Sequence, residues 1–193
     1  MKTLTAEQVC DLAEAGDLQA LLDRDGPLTM TLGGKVIATV HPPTDTRIAL
    51  HIRSYRPADE ADVIELWRQC GLLRPWNDPL RDIARKLSEQ PEGLLVGTVD
   101  EQAVGVAMVG FDGHRGWVNY LAVSPAHRHA SIGTALMVEA ERWLLQRGCP
   151  KLNVQVRSSN ADVIAFYRRL GYVQDDVVSF GKRLIDDAAA SAE

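Results

Sequence analysis

The residues from Tyr120 to Met137 carry the chemistry most readable in this chain. An apolar run, Leu121-Ala122-Val123, passes through Ser124-Pro125-Ala126-His127 into Arg128-His129-Ala130-Ser131-Ile132-Gly133-Thr134, and a helical pattern follows at once. Small residues at the junction let backbone N–H groups come close to a ligand. A helix N-terminus adds unpaired donors and a partial positive charge. Together they form a seat for a pyrophosphate, with Arg128 either beside the phosphates or a solvated loop charge. Ser131 carries a Cβ that resists the left-handed backbone a glycine would take easily, and a hydroxyl able to donate to a phosphate oxygen.

The surrounding elements read as alternating strands and helices. Ile48 to Tyr55 is a predicted strand. Pro57-Ala58-Asp59 opens a helix with Val63, Leu66, Trp67 and Cys70 on one stripe, ended by Gly71. A second helix carries Ile83, Ala84 and Leu87. Strands are expected at Gly93–Val99, Ala103–Gly110 and Gly116–Val123, then a helix burying Ile132, Ala135, Leu136, Ala140, Trp143 and Leu144 as far as Gly148. Leu152–Val156 alternates as a strand, Asn160 caps a helix ended by Gly171, and Val177–Ile185 is expected as a last strand. Periodicity alone gives a mixed α/β domain. Residues 1–47 read as a separate piece. Thr5 caps a helix from Ala6 to Leu22, interrupted at Gly16-Asp17, and Leu28–Leu32 and Val36–Val40 form a hairpin turned by Gly33-Gly34. His41-Pro42-Pro43-Thr44-Asp45 reads as a linker, and residues 188–193 as a flexible tail.

The junction from Arg128 to Thr134 resembles the acyl-CoA-binding motif of the GNAT N-acetyltransferases, with Ser131 where the family's first glycine stands. Asn160-Ala-Asp-Val-Ile-Ala165-Phe166-Tyr167-Arg-Arg-Leu170-Gly171-Tyr172 resembles the family's second signature, with its spacing from Asn160 one residue longer. Leu72–Pro79, Asp112–Gly116, Arg147–Lys151 and Gly181–Ile185 are similar to the YpeA-type subgroup of small bacterial acetyltransferases. This similarity runs over residues 51–187 and omits the N-terminal piece. The resemblance implies the GNAT fold over residues 48–187. Its mixed central sheet is splayed between the fourth and fifth strands with the cofactor in the splay, and here it is preceded by a small N-terminal helix–hairpin extension.

The resemblance implies transfer of an acetyl group from acetyl-CoA, as co-substrate, to a primary amine of a small molecule or a peptide. The amine attacks the thioester directly in a ternary complex. Backbone groups of His129, Ala130, Ser131, Ile132, Gly133 and Thr134, with Arg128, would hold the phosphates, and Leu121, Ala122 and Val123 would pair with the pantetheine amides as an added strand does. The family places a tyrosine at Tyr167 to protonate the leaving thiolate; otherwise its ring simply packs on the helix face. Asn160 caps its helix and touches the cofactor in this reading. The strand Trp117–Val123 lacks the carboxylate many relatives use as base. A water ordered by Asn119 or Tyr120 could serve, or Asp112 or His114 from the preceding loop. Histidine has a suitable intrinsic pKa of about 6.5, yet Asp112-Gly113-His114-Arg115-Gly116 reads equally as a tight turn with Asp112 as its acceptor. Without a strong base, α-amines near 7.7–8.0 lose a proton more cheaply than a lysine near 10.4. Arg74, Trp76, Asn77 and Asp78 either receive the acceptor amine or fix a proline-bounded loop with Trp76 as its core plug.

Composition sets the outer bounds. The chain has 193 residues, 46% of them hydrophobic, and a net charge of −5. This fits one domain plus an appendage and disfavours nucleic acid, which usually meets a basic patch. The acidic balance suits a cationic acceptor, though solubility explains it as well. Cys10, Cys70 and Cys149 fit neither a disulfide framework nor a metal site. The sequence shows no signal-peptide pattern and no membrane-spanning run, so a cytoplasmic protein is expected. A homodimer through the extension or a sheet edge is one expectation for residues 1–47. A DNA-binding attachment is another, weakened by their few scattered cations. The rival to an enzyme is a non-catalytic acyl-CoA-binding or interaction module.

Overall fold

The computed structural model describes residues 2–25, 27–40 and 49–187. The expected linker at His41–Asp45 and the tail at 188–193 lie outside them. The chain divides into two units, Met1–Arg47 and Ile48–Glu193.

In the first unit, β1 (Lys2–Thr5), β2 (Leu28–Leu32) and β3 (Lys35–Val40) form one sheet in that order, with β1 and β2 parallel and β2 and β3 antiparallel. Helices α1 (Ala6–Glu14) and α2 (Leu18–Asp25) make the crossover that parallel strands require. Thr5 starts α1 through a capping box with Gln8. The single helix expected over Ala6–Leu22 is therefore two, because Gly16 takes a left-handed turn at φ 78°. Gly33 and Gly34, both at positive φ, turn the hairpin as expected. Strand β1 went unread because four residues carry too little alternation to signal a strand.

The second unit begins with β4 (His51–Ser54), a 3₁₀ turn at Pro57–Asp59, α3 (Glu60–Gln69) and α4 (Pro79–Glu89). Next come β5 (Leu94–Val99), β6 (Gln102–Phe111), β7 (Gly116–Val123), α5 (Ile132–Leu145), β8 (Leu152–Val154) and α6 (Ala161–Arg169). The sheet runs β4-β5-β6-β7-β8, antiparallel up to β7, with β8 parallel to β7 through the α5 crossover. Both faces are covered. Val63, Leu66 and Trp67 of α3 and Ile83 of α4 pack on Leu94, Val96, Val106 and Ala122. Leu136, Ala140, Trp143 and Leu144 of α5 pack on Leu95, Ala107, Val109 and Val118 of the other face. Burial on both faces explains why β5 reads as an unbroken apolar run. A Cβ on Gly105 would stand 2.9 Å from Leu136 and 3.0 Å from Ile132, so the glycine lets α5 seat directly on β6. No helix among the described residues is long and apolar enough to cross a membrane.

Two features of β7 open the sheet. Its ladder with β8 ends at Val118↔Val154, so residues 119–123 have no strand on that side among the described residues. A bulge follows: Met108 pairs with Asn119 and Val106 with Ala122, leaving Tyr120 and Leu121 opposite Ala107, with Tyr120 at φ 51°. This is a mixed sheet splayed between its fourth and fifth strands.

The last strand expected at Val177–Ile185 does not form. Residues 173–187 run without a ladder, and Val177, Val178, Phe180 and Leu184 are exposed. Side chains anchor the segment instead. Lys151 pairs with Asp175 at 2.6 Å, Gln155 donates to Ser179 at 2.8 Å, Arg183 donates to the Trp76 carbonyl at 2.8 Å, and Arg85 grips Asp187 at 2.6 Å. With β8 ending at Val154, the alternation of 177–185 meets no strand long enough to pair with.

Candidate active site

The loop after β7 folds in short steps. A 3₁₀ turn at Pro125–His127 is closed by His127 N–H donating to Ser124 at 2.9 Å. His129 (φ 65°) and Ser131 (φ 58°) then take left-handed backbone. The first bond inside α5 is Ala135 N–H to the Ser131 carbonyl at 3.0 Å. No side chain caps this end. By contrast Thr5 caps α1, Asp78 caps α4 and Asn160 caps α6 through Val163 N–H. The N–H groups of Ile132, Gly133 and Thr134 therefore point out of α5 with its partial positive charge behind them, and the exposed Arg128 lies just before them. The Ser131 hydroxyl makes no hydrogen bond among the described residues.

Helix α6 lies against the loop. Phe166 and Val123 stand 3.4 Å and 3.6 Å from where a Gly133 Cβ would sit. The next residue, Tyr167, is 8% exposed, with its ring edge-on to Phe166 and Tyr172. Burial pushes its phenol up to about 12, so it holds its proton at neutral pH. Tyr172 donates to Glu141 at 2.7 Å, whereas the Tyr167 hydroxyl makes no hydrogen bond among the described residues. Leu121, Ala122 and Val123 lie on the stretch of β7 without a neighbour in the splay; Ala122 is buried. A groove of about 1520 Å³ runs beside β8 and α6, with Trp117 and Tyr167 in its wall. It does not include residues 121–134.

On the other side of the bulge, hydrogen bonds join four segments. Tyr120 Oη donates to Asp82 Oδ2 at 2.7 Å and receives Asn77 Nδ2 at 3.3 Å. Arg183 of the C-terminal segment reaches Asn77 Oδ1 at 3.2 Å. The Tyr120 ring stacks on buried Trp67 at 4.2 Å, and burial pushes its phenol up to about 12. Arg74 is held on the carbonyls of Gly71 and Leu73. Trp76 is 44% exposed with Arg183 over its ring, so it is not a core plug; the plug is Trp67.

The remaining candidates lie apart from this cluster. Asp112 accepts from His114 N, Arg115 N and Trp117 Nε1, which hold its carboxyl down at about 2. It closes the β6–β7 turn, and exposed His114 sits on that turn. The turn precedes Gly116, which is separated from the bulge by about 13 Å of strand. The structure therefore does not bring His114 or Asp112 to the bulge. Asn119 is exposed at its edge. Sequence reasoning missed Asp82. It lies one helical turn after the cap residue Asp78, a spacing that reads first as a solvated helix face.

Residues 55–172 match the model of the acetyltransferase (GNAT) family. A curated protein of Sodalis glossinidius (strain morsitans), named acetyltransferase SG1711, is 49% identical over 139 residues, which are 72% of this chain and 98% of that protein. Among solved structures, Ard1 from Thermoplasma volcanium is similar with TM-score 0.60 at 24% identity, covering 65% of this chain and 84% of its own. AAC(6')-Iy in complex with the bisubstrate analogue CoA-S-monomethyl-acetylneamine gives TM-score 0.59 at 19% identity, covering 69% of this chain and 98% of its own. These two structural likenesses concern the fold.

Proposed function

This chain belongs to the acetyltransferase (GNAT) family and is an acyltransferase, and we propose that it moves an acetyl group from acetyl-CoA to a primary amine of a small molecule or a peptide α-amine. The observation that carries the reading is the uncapped N-terminus of α5, one short loop after the unpaired stretch of β7 and against Phe166 of α6, the neighbour of Tyr167.

In this reading the N–H groups of residues 131–134, with Arg128 and the Ser131 hydroxyl, take the pyrophosphate. The free edge of Leu121–Val123 pairs with the pantetheine amides. A bulge leaves a backbone donor outside the ladder, and an N–H there polarises the thioester carbonyl as an oxyanion donor does. The amine, having given one proton to water, attacks that carbonyl. The N–C bond forms and the nitrogen sheds a second proton to water, the C–S bond breaks, and Tyr167 gives its proton to the departing sulfur. A phenol near 12 is a weak acid beside a thiol near 8.5. Its transfer is therefore coupled to C–S cleavage, and its proton is regained from solvent.

Calorimetric titration with acetyl-CoA, paired with thiol release over a panel of amines, tests this. The expected result is micromolar binding by both the wild type and Tyr167→Phe, with a kcat about 100-fold or more lower in the variant, as for a general acid–base group. Absence of acetyl-CoA binding by folded protein would sink the proposal.

A further inference from the structure

We propose, on the acetyltransferase reading above, that Asp82 and Tyr120 together form the seat for the acceptor's protonated amine, so that the enzyme selects cationic primary amines. The Tyr120 hydroxyl proton is committed to Asp82 Oδ2 at 2.7 Å, and one oxygen lone pair takes Asn77 Nδ2 at 3.3 Å. What remains on that oxygen is an acceptor site with a carboxylate behind it. An N–H donor fits such a site, and a cationic one fits best.

The pair is held from several sides. Tyr120 is a bulky residue at φ 51°, a conformation that costs energy and persists only where its surroundings enforce it. The bulge and the stack on Trp67 enforce it here, and they turn the ring toward α3 and α4. Helix α4, started by the Asp78 cap and anchored by buried Ile83, fixes Asp82, whose side chain is 18% exposed. Arg85 closes both arms on Asp187, at 2.8 and 2.6 Å, and also pairs with Asp82 Oδ1 at 3.2 Å, so that Oδ2 is the oxygen facing Tyr120. Arg74 rests on two carbonyls.

The seat also lies where the chemistry needs it. Tyr120 belongs to the bulge whose backbone would hold the acyl carbonyl, so one residue carries the amine's seat on its side chain and stands on the strand that would hold its target. The seat binds and aims the amine and is not its base. The proton of the bound amine leaves to water.

Thiol release at saturating acetyl-CoA tests the seat in the full chain with four nucleophiles. Glycyl-glycine, N-α-acetyl-lysine and spermidine are largely cationic at the assay pH, and O-methylhydroxylamine is neutral. Losing a charge-assisted contact of about 1.5–3 kcal/mol raises KM about 10- to 150-fold. Asp82→Asn is expected to raise KM by that factor for the cationic amine the wild type uses best. O-methylhydroxylamine should change less than about threefold, and acetyl-CoA Kd less than about twofold. Asp82→Glu should recover part of the loss. If Asp82→Asn does not fold, Tyr120→Phe serves: it keeps the carboxylate, and KM for the cationic amine should rise about 10-fold. Equal losses for charged and neutral nucleophiles, or none, overturn the seat alone. A wild type that binds acetyl-CoA and acetylates none of the four overturns the acetyltransferase reading and the seat with it.

Discussion

Ser131 concentrates the local compromise of the phosphate loop. Its left-handed backbone at φ 58° suits glycine and disfavours serine, yet it stands at the N-terminus of α5 with a hydroxyl that caps none of the opening N–H groups. Two substitutions separate these effects. Ser131→Ala keeps the Cβ and removes the hydroxyl, and should weaken acetyl-CoA binding about 5- to 10-fold, the worth of one hydrogen bond. Ser131→Gly removes both; relief of strain should offset part of the lost affinity and raise the melting temperature above that of Ser131→Ala. Calorimetry and thermal melts read the two outcomes, and equal Kd values for all three proteins would deny the hydroxyl a role. Lys86 is the other residue under stress. It is 9% exposed, its ammonium donates to the Val109 carbonyl, and burial pulls its pKa down from 10.5 to about 8. The unfolded chain therefore binds more protons than the folded one between pH 8 and 10.5, and stability from this group rises with pH across that window. Below pH 8 the buried charge is a constant cost. Relative to Lys86→Met, the wild type should gain about 2 kcal/mol between pH 8 and 10.5, read from paired denaturant melts. A pH-independent difference between the two proteins would show that Lys86 is not desolvated.

The elements place the site through close contact, and at Gly105 that contact is between β6 and the start of α5. Gly105→Val would push Leu136 and Ile132 off β6. It should cost about 2 kcal/mol, a fall of about 4–8 °C in melting temperature for a chain of this size. Because Ile132 starts α5, acetyl-CoA affinity should fall with it. Much of this positioning was legible beforehand. The strand-to-helix junction at Val123–Thr134, the Asn160 cap and the apolar stripes of α3 and α5 all carry strong local signals, and the structure forms those elements where expected. Three features were not legible, for distinct reasons. The bulge at Tyr120 depends on the register shift of β7 against β6 around Ala107, a long-range feature that no local pattern encodes. Asp82 becomes visible only when α4 packs against that bulge. Residues 177–185 have strand alternation, but alternation cannot show whether a partner strand is long enough to receive it. That last segment supplies its own test. With Phe180 91% exposed and no ladder around it, brief chymotrypsin treatment should cut after Phe180 before cutting in β5, β6 or β7. First cuts within those strands would mean the segment is paired in solution.

At the scale of the whole molecule the chemistry and the extension separate. Every residue given a part in acetyl transfer lies between Trp67 and Arg183, within the second unit, and the family match at 55–172 falls there too. The first unit has its own core around Val9, Leu22 and Leu28. Its strand β3 has β2 on one side and no strand on the other among the described residues, and it exposes Val36 and Ile37. An exposed apolar edge strand invites pairing with another chain, and a second copy always offers the same edge. An antiparallel pairing of two β3 strands about a two-fold axis would close that edge using no residue given a part in acetyl transfer. The full chain is therefore expected to run as a dimer in light scattering at micromolar concentration. Ile37→Lys, which places a charge on the edge, should run as a monomer. Both should bind acetyl-CoA with Kd values within about threefold and turn over the same amines, since a factor of three is under about 1 kcal/mol. A dimer that survives Ile37→Lys would move the interface away from β3. A monomer that loses acetyl-CoA binding would mean that the second copy supports the site, and the independence of the two units would have to be given up.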